Sequence, residues 1–258
     1  MLCSDLIQKI EAKYPKNVAE DWDNVGLILG RMQKEIKKVY IALDATEEVI
    51  QEAIACGADM LLTHHPLVFS PLKQITDETI EGRRALTLLQ NDVCYYAMHT
   101  NYDILRMADL SAERIGLEET EILIPTDTEE TRGIGRVGAF KEPMTVKACC
   151  DLVKERFGLE AVKVYGKLDQ TVSCIAISPG SGKHMSEQAL AKGAEVFITA
   201  EIDHHEGIDS NAEGMAIIDA GHYGLEHIFI EDMSNFIKEN LKGIEVFTAA
   251  IAHPFQIV

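Results

Sequence analysis

Short apolar runs alternate with amphipathic stretches along this chain, and the alternation predicts strands separated by helices. "SDLIQKIEAKYP" opens with a Ser or Asp cap and sets Leu6, Ile7 and Ile10 on one helical face, ending before Pro15. "VYIALDAT" (39–46) reads as a buried strand, and "TEEVIQEAIACG" (46–57) as a helix capped by Thr46 and closed by Gly57. "DMLLTHH" is the next strand, "TIEGRRALTLLQND" a helix, and "VCYYAMHT" (93–100) a third strand. Strands alternating with helices of about 10–15 residues imply βαβ crossovers and parallel pairing.

The second half repeats the style. A helix ("TVKACCDLVKERFG"), a strand ("SCIAIS", 173–178), a tight turn ("PGSG"), a helix ("MSEQALAKG") and a strand ("EVFITAE") follow one another. Then come a strand ("MAIIDAG", 215–221), a helix ("LEHIFIEDMSNFIKENL") and a closing strand ("EVFTAAIA"). Between the halves, "PTDTEETRGIGRVGAF" (125–140) is polar, acidic and punctuated by glycine, so it is the expected domain boundary. The fold expected is α/β: two related α/β domains with mixed, mainly parallel sheets. The domains expected are residues 1–125 and 126–258, the C-terminal segment being free to pack back on the first.

The halves also echo each other in sequence. "EAIACGADMLLT" (52–63) laid on "QALAKGAEVFIT" (188–199) matches at five positions, Ala, Ala, Gly, Ala and Thr. "HTNYD" (99–103) falls on "HYGLE" (222–226), each with a histidine followed four residues later by a carboxylate. A duplication is the reading.

Charge narrows the partners. With 42 acidic against 24 basic residues and a formal net charge of −18, the summed field repels phosphate backbones and anionic lipid, which excludes general nucleic-acid binding and membrane association. A bound cation locally reverses that sign, so an anionic small molecule stays admissible. The six cysteines form no C-x-x-C pair, and the first residues carry acid and amide groups where a signal peptide needs an apolar core. Buried reduced thiols and a cytoplasmic location are expected.

The candidate chemistry lies at strand ends, where ligands of open α/β sheets bind. "LLTHHPLVF" (61–69) ends its strand in His64 and His65; His99 and Asp103, and His222 and Glu226, follow two others. Imidazoles and carboxylates are the protein ligands of borderline divalent metals. Alone, a His-His pair after a strand is more often a hydrogen-bonded turn; two further His/carboxylate pairs at strand ends favour ligands. Pro66 keeps His65 extended, so the two imidazoles can straddle neighbouring ions. His222 and Glu226 share a helical face by their i, i+4 spacing. Five donor groups, His64, His65, Asp103, His222 and Glu226, suit two cations about 3.5–4 Å apart. His99 is expected to orient Asp103 or relay protons, and His205 either touches substrate or is loop polarity. "SPGSG" (178–182) lacks the Lys-Ser/Thr of a phosphate loop and reads as a plain turn.

These residues, together with "AEDWDNVGLILG" (19–30), "ALDATEEVIQEAIACGADMLLTHHPLVF" (42–69) and "ITAEIDHHE" (198–206), resemble the NGG-interacting-factor-three-like family of dinuclear-metal proteins. Its bacterial and archaeal members are commonly called GTP cyclohydrolase I type 2 homologues. The resemblance implies metal ligands at His64, His65, Asp103, His222 and Glu226, the glutamate bridging. It also implies a homohexamer with a central opening, of the short form that lacks an extra mid-chain domain. "TAEIDHHE" departs from the family's Gly and single His, leaving open which of His204 and His205 takes the family role. The expected function is a dinuclear divalent-metal hydrolase (zinc, iron, manganese or similar) acting on a small molecule such as a nucleotide. GTP imidazole-ring opening is the candidate reaction, with His99 and His205 as proton relays. The competing expectation is a non-catalytic metal-binding scaffold or regulatory protein.

Overall fold

In the computed structural model, which describes all 258 residues, the chain begins with α1 (Cys3–Lys13), β1 (Gly26–Leu29) and β2 (Lys38–Ala42). Next come α2 (Glu47–Ala55), β3 (Met60–Thr63), α3 (Ile80–Gln90), β4 (Cys94–Ala97) and α4 (Thr100–Tyr102). A π-helical segment Asp103–Met107 leads into α5 (Ala108–Ile115), β5 (Glu118–Pro125), β6 (Gly133–Thr145), α6 (Val146–Phe157) and β7 (Lys163–Tyr165). The order then runs β8 (Thr171–Ser181), α7 (Ser186–Ala191), β9 (Val196–Glu201), α8 (His204–Ala212) and β10 (Ala216–Asp219). It closes with α9 (His222–Glu226), α10 (Ile228–Asn240) and β11 (Glu245–Thr248).

The chain divides into two compact units. One is Met1–Tyr102 with Phe229–Ile251, the other Asp103–Ile228 with Ala252–Val258. The first unit holds a five-stranded sheet in the order β1-β4-β3-β2-β11. Strands β4, β3, β2 and β11 run parallel, and β1 is antiparallel to β4. The second holds six strands in the order β5-β6-β8-β9-β10-β7, with β8, β9 and β10 parallel and the others antiparallel. Two mixed sheets with helices match the α/β class read from the sequence.

The core of each unit follows from that pattern. All four residues of β3 and of β4 are buried, as expected of parallel strands covered on both faces. Ile50 and Ala53 of α2 and Ala85 and Leu88 of α3 pack with Tyr40, Leu61 and Tyr95 in one cluster. In the second unit Ala176, Phe197 and Ile217 of neighbouring strands pack with Ala189 of α7. Thr46, Thr79 and Thr145 each cap the helix they precede by accepting a backbone N–H three residues on. No helix is long and apolar enough to cross a membrane.

Three expectations are corrected. The stretch at 125–140 is no linker: β5 and β6 pair antiparallel through it, from Pro125 opposite Gly133 to Glu118 opposite Ala139. Its polar character belongs to a strand with one face in water. The chain passes from unit to unit at Tyr102/Asp103, Ile228/Phe229 and Ile251/Ala252 instead. "SPGSG" is no plain turn either, since β8 continues to Ser181 through a register shift between Ser178 and Ser181. Finally, "HHEGIDSNA" is a helix, α8. It lacks an apolar stripe because it approaches through Gly207, where a Cβ would sit 2.9 Å from the Tyr165 ring.

Candidate metal centre

In the first unit, the carboxyl ends of three adjacent parallel strands bring their polar residues together. Asp44 follows β2, His64 and His65 follow β3, and His99 follows β4. The His64–His65 turn is built from the core outward. His65 N donates to the Leu43 carbonyl (3.0 Å), and Leu67 N donates to the buried Tyr95 hydroxyl (2.8 Å). Thr63 Oγ1 lies 2.6 Å from the Tyr95 hydroxyl, and both approach the His65 carbonyl, at 2.8 and 2.9 Å. Pro66 needs no donor partner. The turn is thus fixed by backbone and hydroxyl bonds, leaving both imidazoles for other work.

Each imidazole has a defined partner at Nδ1. His64 Nδ1 lies 2.8 Å from the Met98 carbonyl oxygen, His65 Nδ1 2.7 Å from Asp44 Oδ1, and His99 Nδ1 2.9 Å from Asp23 Oδ1. These oxygens can only accept, so Nδ1 carries a proton in all three rings. One donor atom from each of His64, His65 and His99 lies within 4.8 Å of the others. A histidine whose Nδ1–H is held by a carboxylate or carbonyl is the usual supporting arrangement of a metal-ligating imidazole. Burial pushes Asp23 up, but hydrogen bonds from His99 and Thr100 outweigh it and hold its carboxyl at about 2. Asp23 is therefore an anion at neutral pH and aligns His99.

The second unit repeats the arrangement with different donors. Gly180 lies near the end of β8, Glu201 ends β9, and His222 follows β10 and begins α9. His222 Nε2 lies 3.0 Å from Glu226 Oε2 one turn on, and its Nδ1 lies 3.4 Å from Glu201 Oε1. Glu226 is only 2% exposed. Asp103 opens the π-helical segment, a geometry rare enough to concentrate at functional sites. Ligand oxygens of Asp103 and Glu226 lie within 4.8 Å of each other. Two carboxylates that close repel, and a divalent cation relieves the repulsion.

Gly180 makes room for Glu226. Its φ is +76°, and an added Cβ would stand 2.9 Å from Glu226 Oε1. Gly180→Ala should therefore strain the bulge and displace that carboxylate. We expect divalent-metal affinity to fall roughly 10–100-fold with the fold retained, as measured by metal titration beside circular dichroism.

The sequence-derived residues thus fall into two sets: His64, His65 and His99 in one unit, and Asp103, His222 and Glu226 in the other. His205 lies elsewhere, exposed in the first turn of α8 beside His204 at 5.3 Å between ring centroids. It lines a cavity of about 910 Å³ with His184, Asp203 and Glu206. Sequence reading missed Asp44, Asp23 and Gly180. Asp44 had a signal, the polar end of an apolar strand, which alone does not separate a ligand's anchor from a helix start.

Comparison with known proteins adds the family. The description Duf34/NIF3 (NGG1p interacting factor 3) matches residues 1–254. The chain belongs to the Duf34/NIF3 family. A relative from Clostridium perfringens (strain 13 / Type A), named GTP cyclohydrolase 1 type 2 homolog, is 37% identical over 262 residues, covering 100% of each chain. Among solved structures, a Bacillus cereus protein related to NIF3 superposes with a TM-score of 0.91 at 25% identity, covering 100% of this chain and 99% of that one. Reduced HcgD from Methanocaldococcus jannaschii does so with a TM-score of 0.83 at 30% identity, covering 96% and 97%. The Bacillus subtilis relative aligns over 365 positions while covering 98% of each chain, so it carries an insertion that this family member lacks.

Proposed function

We propose that this protein is a hydrolase dependent on two divalent cations, bound by His64, His65, Asp103, His222 and Glu226, and that GTP imidazole-ring opening is its candidate reaction. The observation that carries the reading is the shared anchoring of the three histidines of the first unit, each with Nδ1 held by an oxygen and one ring nitrogen within 4.8 Å of a ring nitrogen of the other two. The donor set, imidazole nitrogens with carboxylates, suits zinc, iron or manganese. The relatives' name supports the choice of substrate.

Two such cations would supply Lewis acidity, lowering the pKa of a water toward neutrality, and would offset repulsion between nucleotide phosphates and a chain of net charge −18. The chain's own groups supply the rest. His99, its Nδ1–H held by Asp23, keeps Nε2 available to accept and return a proton at the ligand. Asp44 and the Met98 carbonyl fix the rings of His65 and His64, so no rotamer need be ordered on binding. His205 carries no comparable anchor, and the relay role is assigned to His99. The homohexamer and the cytoplasmic location belong to the same proposal; light scattering checks the first.

The test loads purified protein separately with zinc, manganese and iron(II) and follows GTP and a panel of phosphoesters by mass spectrometry. Ring-opened product under one loading is the expected result. Bound metal with no turnover under any loading would favour a metal-binding scaffold.

A further inference from the structure

The chain has a single tryptophan, and Trp22 leaves 62% of its surface in water. The turn carrying it is nonetheless tightly fixed. Asp23 N donates to the Glu20 carbonyl (2.9 Å), and Glu20 N to Thr100 Oγ1 (2.9 Å). The Asp23 carboxylate, with no exposed surface, accepts from Thr100 N, Thr100 Oγ1 and His99 Nδ1. Asn24 Nδ2 donates to the Val68 carbonyl, tying the turn to the segment that bears Phe69, itself 50% exposed.

Both exposed rings meet the same imidazole. Trp22 and Phe69 lie 5.9 and 5.7 Å from the His99 ring, edge-on at 76° and 80°. His99 in turn lies 5.3 and 5.6 Å from the rings of His64 and His65. Aromatic surface is therefore continuous with the donor cluster. Burying an indole is among the most favourable things a fold can do with it. Here buried hydrogen bonds hold the backbone in place while the ring stays in solvent, so the ring is not what fixes the turn. A rigid aromatic face beside a site is what stacking on a planar base requires, because little ordering remains to be done.

We propose that Trp22 and Phe69 form a stacking platform for the purine ring of a nucleotide, presenting it to the His64, His65 and His99 cluster. The proposal rests on the hydrolase reading and gives its substrate class a binding surface. An uncharged ring also suits an acidic chain, which repels the phosphates but not the base. Two rings are far less than the roughly 800 Å² per partner of a stable interface. A second copy would have to cover Leu72 and Ile75 as well, 39% and 45% exposed.

Because Trp22 is the sole tryptophan, its fluorescence reports on the platform alone. Metal-loaded protein is titrated with GTP, guanosine and inorganic triphosphate. GTP and guanosine should change the emission saturably, and triphosphate should not. Phe69→Ala should weaken guanosine binding on the order of tenfold at unchanged metal content. Trp22→Ala should do the same by calorimetry, with Trp22→Phe restoring most of it. Emission that depends on protein concentration but not on purine would assign the face to a second copy and overturn the proposal. So would unaltered guanosine affinity in Phe69→Ala. If GTP is turned over with an unchanged KM in Trp22→Ala, the platform fails while the hydrolase stands. Purine-dependent quenching lost in Phe69→Ala, without turnover under any metal, sinks the hydrolase and leaves the platform.

Discussion

Glu226→Gln should leave a folded protein that has lost most of its bound metal and at least a hundredfold of any metal-dependent turnover. The side chain is buried at 2% exposure and lies within 4.8 Å of the Asp103 carboxylate. Glutamine keeps the shape but removes one of the two negative charges that a cation would neutralise. In the absence of metal the substitution should be tolerated, because it removes repulsion between the carboxylates. With metal the outcome reverses. A ligand present at about a hundred times its dissociation constant stabilises the native state by about 2.7 kcal/mol, worth roughly 5–11 °C in Tm for a chain of this size. Wild type should show that zinc-dependent rise, and Glu226→Gln should show little of it. A variant that kept both its metal stoichiometry and its zinc-dependent Tm would remove Glu226 from the ligand set.

The echo between the halves was legible where both solve the same packing problem. "EAIACGADMLLT" and "QALAKGAEVFIT" are a helix face followed by a doubly buried strand, and such segments advertise themselves by period and apolar run. The structure extends the echo to register. Ala42 pairs with Thr63 in β2 and β3, and Ser178 with Thr199 in β8 and β9. It also extends it to topology, for β1 lies antiparallel on β4 as β7 does on β10. Those edge strands were invisible in the sequence. Strand β7 has three residues and β1 four, too few for alternation to stand out.

The site was legible at its donors and opaque at its supports. Histidines and carboxylates at strand ends carry a chemical signature whatever their partners. Asp23 carries none, and the strand-end position of Asp44 does not reveal its role, since each acts by meeting a ring 76 or 21 residues away. Gly180 was hidden for a related reason. A glycine after a strand ordinarily marks a turn, and only the position of Glu226 shows that this one keeps a path clear for a carboxylate.

Asp23→Ala should be among the most destabilising single changes outside the core. It removes the acceptor for His99 Nδ1–H, Thr100 N–H and Thr100 Oγ1–H, and the one for Asn24 N–H. An unsatisfied buried donor costs about 1–3 kcal/mol, and water entering the gap satisfies some of the four. A net loss of about 3 kcal/mol, or roughly 6–12 °C in Tm, is expected. Acid should reveal the same carboxylate in the wild type. Its pKa is depressed from the ordinary 3.8 to about 2, so the stabilisation is fully present above about pH 4 and is lost as pH falls toward 2. One pKa unit is 1.36 kcal/mol, so about 2 kcal/mol is at stake. Denaturant unfolding between pH 5 and 2 should show wild type losing that amount relative to Asp23→Asn, whose amide does not titrate. Parallel curves for the two proteins would mean that the hydrogen bonds at Asp23 do not favour its charged form. The alignment of His99 would then need another cause.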